Sequence, residues 1–109
     1  MISLKPADSH DPTPARIRGL RPEMLFALMS IASVCDQYGI DCVITSAVDG
    51  VHSRGSRHYA GLAVDIRTRD LEDDRKPSFA ACIADNLGED FDIILERTHL
   101  HVEFDPKEP

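Results

Sequence analysis

The chain predicts a small α+β domain: a mainly antiparallel sheet with two helices packed on it. Three observations carry this. Two stretches have apolar residues at helical spacing, the segments between and after them alternate with period two, and 109 residues allow one domain. At 42% apolar residues the chain can bury one modest core. The predicted order is helix, strand, strand, helix, hairpin.

Residues 1–19 hold Pro6, Pro12 and Pro14 and no apolar period, so they are expected to form a loosely held N-terminal arm, with residues 20–109 as the single domain. Pro22 suits a first helical position and Glu23 the first turn. Met24, Leu25, Leu28, Ile31, Ala32 and Cys35 then recur at helical spacing, and Gly39 supplies a stop, predicting a helix over about 22–38. Ile40 to Ser46 is rich in β-branched residues and predicts a strand. A Gly/Ser-rich loop is expected over about 47–60, followed by a strand from Leu62 to Thr68. On that strand Leu62, Val64 and Ile66 face one way, and Ala63, Asp65 and Arg67 the other.

The charged run Asp70–Lys76 reads as a solvated loop, and Pro77 opens a second helix through Phe79, Ile83 and Leu87, closed by Gly88. Strands at about 91–96 and 99–104 follow. If Arg97-Thr98 is a two-residue hairpin loop, Glu96 lies opposite His99 and Ile94 opposite His101. Period two then places His99, His101 and Glu103 on one face, with Leu100, Val102 and Phe104 on the other.

Twelve Lys and Arg against 19 Asp and Glu give a net charge of −7, which leaves no basic footprint for nucleic acid and disfavours anionic membrane surfaces. No apolar run approaches the roughly 18–20 residues of a membrane helix. The start, MISLKPADSHDP, lacks the basic end and apolar stretch of a signal peptide, so synthesis in a cytoplasm is expected. Cys35, Cys42 and Cys82 form no CxxC pair and read as small buried side chains in a reducing compartment.

Chemistry concentrates in Ser56-Arg-His58-Tyr-Ala-Gly61-Leu-Ala63-Val-Asp65 and in His99-Leu-His101. A carboxylate on an otherwise apolar strand is costly unless paired, solvated or bound to a metal. Two imidazoles and one carboxylate make a suitable open zinc site, with a fourth position for water. Zinc brings the pKa of such a water down to roughly 7 and polarises a peptide carbonyl. Glu96 or His99 can then serve as general base.

Ser-x-His-x-x-Gly-x-Ala-x-Asp followed by His-x-His resembles the zinc D-alanyl-D-alanine metallopeptidases, which include dipeptidases, carboxypeptidases and the L-alanyl-D-glutamate endopeptidases of phage lysins. They share a fold with lysostaphin-type peptidases and the hedgehog signalling domain. The resemblance spans roughly residues 40–105, and the first motif should arise by chance in fewer than about one chain in ten thousand. It implies one zinc ion per chain held by His58, Asp65 and His101, with His99 beside the metal water. It further implies a peptidoglycan stem-peptide substrate cut at bonds involving D-amino acids. Ser56, Arg57, Tyr59 and His52 are candidates for the substrate side, and Glu103 for orienting a ligand from outside the coordination sphere.

Two departures matter. Branches of the family use a glutamate three residues before the ligand histidine as base, where this chain has Thr98. Glu96 can reach the same face across the hairpin, so Glu96 and His99 both stand as base. The arginine that clamps the substrate carboxylate in many carboxypeptidases and dipeptidases is missing from Thr45–Gly50; Arg54, Arg57 or Arg67 can substitute. Carboxypeptidase and endopeptidase therefore both remain open. The resemblance implies action at the bacterial cell wall as a phage or prophage lysin or a virion-associated enzyme, and a monomer is the default expectation. The alternative is a zinc-binding or virion-associated module with little or no catalysis, since fold and site do not guarantee turnover.

Overall fold

Pro22 and Gly39 delimit the first helix as the sequence predicts. Helix α1 runs Pro22–Tyr38, and Gly39 ends it in the left-handed conformation, its N–H returning to the carbonyls of Asp36 and Cys35. The protein is described by a computed structural model over residues 2–6, 15–47 and 61–107. The strands are β1 (Ile2–Leu4), β2 (Cys42–Ser46), β3 (Ala63–Arg67), β4 (Phe91–Leu95) and β5 (His99–Phe104). Helix α2 spans Lys76–Leu87.

The five strands form one sheet in the order β1-β2-β3-β5-β4. All neighbouring pairs are antiparallel except β1 with β2. A parallel pair needs a crossover, and α1 provides it. The expected α+β domain with a mainly antiparallel sheet and two helices is therefore the observed one.

One sheet face carries the core. Ile44, Val64, Ile66, Leu100 and Val102 are fully buried there, with Met24, Ile31 and Cys35 of α1 and Phe79 and Ile83 of α2. Tyr38 closes the contact between the helices, its ring edge-on to Phe79 with centroids 5.3 Å apart. Leu25, expected on the apolar stripe, is 46% exposed, because the stripe turned to the sheet is set by Met24, Leu28 and Ile31. Cys35 and Cys42 are buried where α1 meets β2, and Cys82 is half-buried; all three are free thiols. The Cys42 side chain and burial push the Cys35 thiol up, so it stays protonated.

Two local expectations change. Residues 1–19 were expected to hold no strand, yet Ile2–Leu4 pairs with Cys42–Ile44, and Ala15 is buried in the core. Three exposed residues carry too short an alternation to be recognised in sequence, and backbone pairing to β2 is what orders them. Within the charged run, Asp73–Arg75 forms a 3₁₀ turn leading directly into α2. Its side chains are exposed, as expected, but Leu71 beside it is buried and anchors the segment.

The hairpin closes in the predicted register. Ile94 lies opposite His101, and the Glu96 N–H donates to the His99 carbonyl at 2.9 Å across Arg97-Thr98. The loop motif's glycine also has a clear local cause. Gly61 has φ +74°, and a Cβ there would lie 2.3 Å from the Gly19 carbonyl oxygen. The Arg21 N–H donates to the Gly61 carbonyl at 2.8 Å, so the entry to α1 and the entry to β3 are held in direct backbone contact.

Candidate metal centre

The face of the sheet away from the helices carries the polar residues of β3 and β5. Their register sets Asp65 directly opposite His101, Arg67 opposite His99 and Ala63 opposite Glu103. Leu100 and Val102 point the other way and are fully buried, which fixes the facing of the histidines. A one-residue slip would bury two imidazoles and expose the core.

His101 is held between two carboxylates. Its Nδ1 lies 2.9 Å from Asp65 Oδ1 and its Nε2 2.8 Å from Glu103 Oε1. The three side chains are between 14% and 19% exposed, so solvent only partly screens them. The Asp65 hydrogen bond, assisted by Glu103 and opposed by burial, pushes the His101 pKa up to about 9.

His99 sits alongside. Its Nε2 is 3.7 Å from Asp65 Oδ2 and 3.6 Å from Glu96 Oε1, too long for hydrogen bonds but well within their field. Its Nδ1 lies 3.1 Å from Thr98 Oγ1. Nδ1 and the threonine hydroxyl share a hydrogen bond whose direction follows the ring tautomer. Thr98 is thus a group that orients His99.

The structure therefore brings Asp65, His99, His101, Glu103 and Glu96 onto one edge of the polar face. His58, Ser56, Arg57, Tyr59, His52 and Arg54 lie outside the described residues. The donors present suit a divalent cation such as zinc: an imidazole nitrogen and a carboxylate oxygen side by side on rigid strands, with Glu103 on the far ring nitrogen to fix tautomer and orientation. Such a cation would replace the proton that the two carboxylates now hold on His101.

One further acidic group was not anticipated from the sequence. Carboxylates of Asp92, Glu103 and Asp105 come within 4.8 Å of one another. The Lys107 ammonium occupies their edge, 2.8 Å from Asp92 and 3.2 Å from Asp105, and supplies the balancing charge itself. The spacing of Asp92 and Asp105, on separate strand ends, gives no sequence signal. A groove of about 610 Å³ also opens beside His99, lined by Lys5, Thr45, Arg67, Arg69 and Thr98 among others. Of these cations only Arg67 was a candidate from sequence.

The His101 environment predicts a pH dependence for the metal-free protein. A folded-state pKa of about 9, above the 6.5 of an unperturbed histidine, stabilises the fold fully below about pH 6.5. That contribution is lost as pH rises through about 9. Thermal melts of the metal-free chain should fall across this window, and the fall should shrink in His101→Asn. A midpoint that stays flat in the unsubstituted chain would show that the two carboxylates do not hold the proton.

No helix among the described residues is long and apolar enough to cross a membrane. A search of curated proteins finds no match to the chain. The model of the Hedgehog amino-terminal signalling domain, by contrast, matches residues 8–103, nearly the whole length. The fold of this family is related to that of zinc peptidases and its relatives bind zinc, in keeping with the donor set on β3 and β5. With its sheet, its two helices and this match, the chain belongs to the Hedgehog amino-terminal signalling domain family.

Proposed function

We propose that the protein is a zinc-dependent peptidase that hydrolyses peptidoglycan stem peptides at bonds involving D-amino acids, as a D-Ala-D-Ala carboxypeptidase or an L-Ala-D-Glu endopeptidase. The observation that carries this reading is the Asp65–His101–Glu103 line, with His99 and Glu96 beside it on an open sheet face. His58 completes the ligand set in this reading, from the motif it shares with Asp65. Zinc held there supplies a Lewis acid for the scissile carbonyl and lowers the pKa of a water toward neutrality.

The chain's own residues do the rest. Glu103 holds the His101 ring so that Nδ1 faces the centre. His99 presents Nε2 beside Asp65, positioned to take a proton from the attacking water or to donate to the carbonyl oxygen as negative charge develops. Glu96, 48% exposed, has its Oε1 3.6 Å from His99 Nε2 and is the alternative base. The site of action in this reading is the bacterial cell wall, reached as a phage or virion-borne enzyme.

A second reading has a specific observation behind it: the matched family model is that of a signalling domain. A zinc-bearing module that binds a partner and turns nothing over would keep Asp65 and His101 and dispense with a base. Thr98, in place of a glutamate, suits it. The two separate on incubating the zinc-loaded chain with purified stem peptides, with and without chelator, and reading products by mass. The peptidase reading expects chelator-sensitive cleavage, with loss of a terminal D-alanine marking a carboxypeptidase and an internal cut an endopeptidase. A metal-loaded chain that leaves every peptide intact would support the binding module.

A further inference from the structure

Helix α1 turns one stripe to the sheet and another to solvent, and the outer stripe is not polar. Phe26 is 71% and Met29 67% exposed, the two most exposed large apolar side chains among the described residues, and Leu25 beside them is 46% exposed. At about 100° per residue, Leu25, Asp36, Met29, Pro22, Ser33 and Phe26 fall in that order within an arc of about 100°. All six are exposed. The metal centre lies on the other face of the sheet, so none of them belongs to it.

This stripe is divided along its length. Its N-terminal half is bulky and follows the exposed Arg18 and Arg21, whereas its C-terminal half offers Ser33 and Asp36. The charges also run against the helix dipole, which favours cations near the end of a helix. Here the last turn holds Asp36 and no cation, and Arg21 stands at the N-cap without capping through its side chain. Glu23 obeys the dipole rule, but it is half-buried and outside the stripe. A local rule broken in this way is expected where a partner supplies the compensation.

Arg21 and Asp36 lie nearly equally far from Met29, each about 11–12 Å along the axis at 1.5 Å per residue. A second copy laid antiparallel across Met29 therefore sets Leu25 and Phe26 of each chain over Ser33 of the other. It also sets Arg21 of each chain over Asp36 of the other. Bulky meets small, cation meets carboxylate, and each helix start lies against the other's end. A lipid surface fits less well, because Asp36 stands inside the stripe where an anionic bilayer wants only cations.

We propose that the outward face of α1 is a self-association surface on which two copies pack antiparallel about Met29, in place of the monomer expected by default. Both metal faces then point away from the interface, so one dimer presents two sites to a polymeric ligand. The pairing is independent of what the metal centre does. A single helix pair covers less than the roughly 800 Å² per partner of a standard interface, so the dimer forms in the high-micromolar range.

The test is sedimentation equilibrium of the full chain from about 10 µM to about 1 mM, with backbone-amide NMR over the same range. The average mass should climb from one chain toward two, with concentration-dependent shifts at Leu25, Phe26, Met29 and Ser33 and none at Asp65 or His101. Phe26→Ser and Met29→Gln, both at exposed positions, should each weaken association at least about tenfold. Arg21→Glu and Asp36→Lys should each do the same, since either sets like charges together twice. An equimolar mixture of those two variants should recover the dimer, because every charge contact in the mixed pair again joins opposite signs. The mass of one chain throughout, association unchanged by Phe26→Ser and Met29→Gln, or a mixture that stays monomeric would overturn the proposal. Sedimentation with phosphatidylglycerol vesicles, lost in Phe26→Ser and seen without self-association, would also overturn it and give this face to a lipid surface.

Discussion

Asp65→Ala and His101→Ala are each expected to abolish turnover and to lower zinc affinity by more than the roughly 10–100-fold that removing an outer partner costs. The reason is geometric. Asp65 Oδ1 and His101 Nδ1 sit 2.9 Å apart on neighbouring strands, so both donors are fixed by backbone pairing. Glu103→Gln should behave differently. It keeps an oxygen for His101 Nε2 but loses the charge, and its zinc affinity should fall only within that 10–100-fold range. A graded series, with Glu103→Gln between the unsubstituted chain and the two alanine variants, is the expected pattern in zinc titrations. Retained hydrolysis in Asp65→Ala or His101→Ala would sink the assignment of these residues to the metal. Circular dichroism on the same samples separates loss of metal from loss of fold.

The second large effect is on stability. Gly61→Ala should destabilise the fold by about 2–4 kcal/mol, because two costs add at one position. The left-handed φ of +74° disfavours any side chain, and the new Cβ would meet the Gly19 carbonyl oxygen at 2.3 Å, a backbone atom that cannot step aside alone. Separating the two segments would also stretch the 2.8 Å bond from the Arg21 N–H to the Gly61 carbonyl. Gly39→Ala is the natural control: its φ is +72°, but nothing lies within 4 Å of the added methyl. It should cost only about 1 kcal/mol. At roughly 4–8 °C per kcal/mol for a domain of this size, the two should be readily separated in a thermal melt. Equal midpoints for the two variants would show that the contact with Gly19 is not what demands glycine at 61.

Much of the fold was legible because local chemistry and tertiary packing agree. Pro22 and Gly39 mark the ends of α1 by backbone rules alone. The facing of β5 follows from period two, since Leu100 and Val102 cannot both be buried unless His99 and His101 turn outward. The two-residue loop Arg97-Thr98 fixes the hairpin register whatever its residues. The strand order was not legible, because alternation says which face a residue takes and not which strand lies beside it. Only the β3–β5 pairing turns two separate motifs into one site, with Asp65 across from His101.

The same limit hid the cationic groove. Lys5 stands in a proline-bearing stretch with no apolar period, and nothing near it in sequence marks it as a neighbour of Arg67 and His99. Glu103 could be singled out as a partner for a ligand from its facing alone. That it would grip the far nitrogen of His101 required the side-chain geometry. The acidic meeting of Asp92, Glu103 and Asp105 was likewise invisible, since it joins the start of β4 to the end of β5.

Zinc is expected on the histidine–aspartate line and not on the carboxylates beside Lys107. X-ray absorption at the zinc edge, on the full chain loaded with one equivalent, tests this most directly. A shell of nitrogen and oxygen at about 2.0–2.1 Å with the outer scattering of two imidazoles, from His101 and His58, is the predicted result. An all-oxygen shell without imidazole scattering would place the metal on Asp92, Glu103 and Asp105 and remove it from Asp65 and His101.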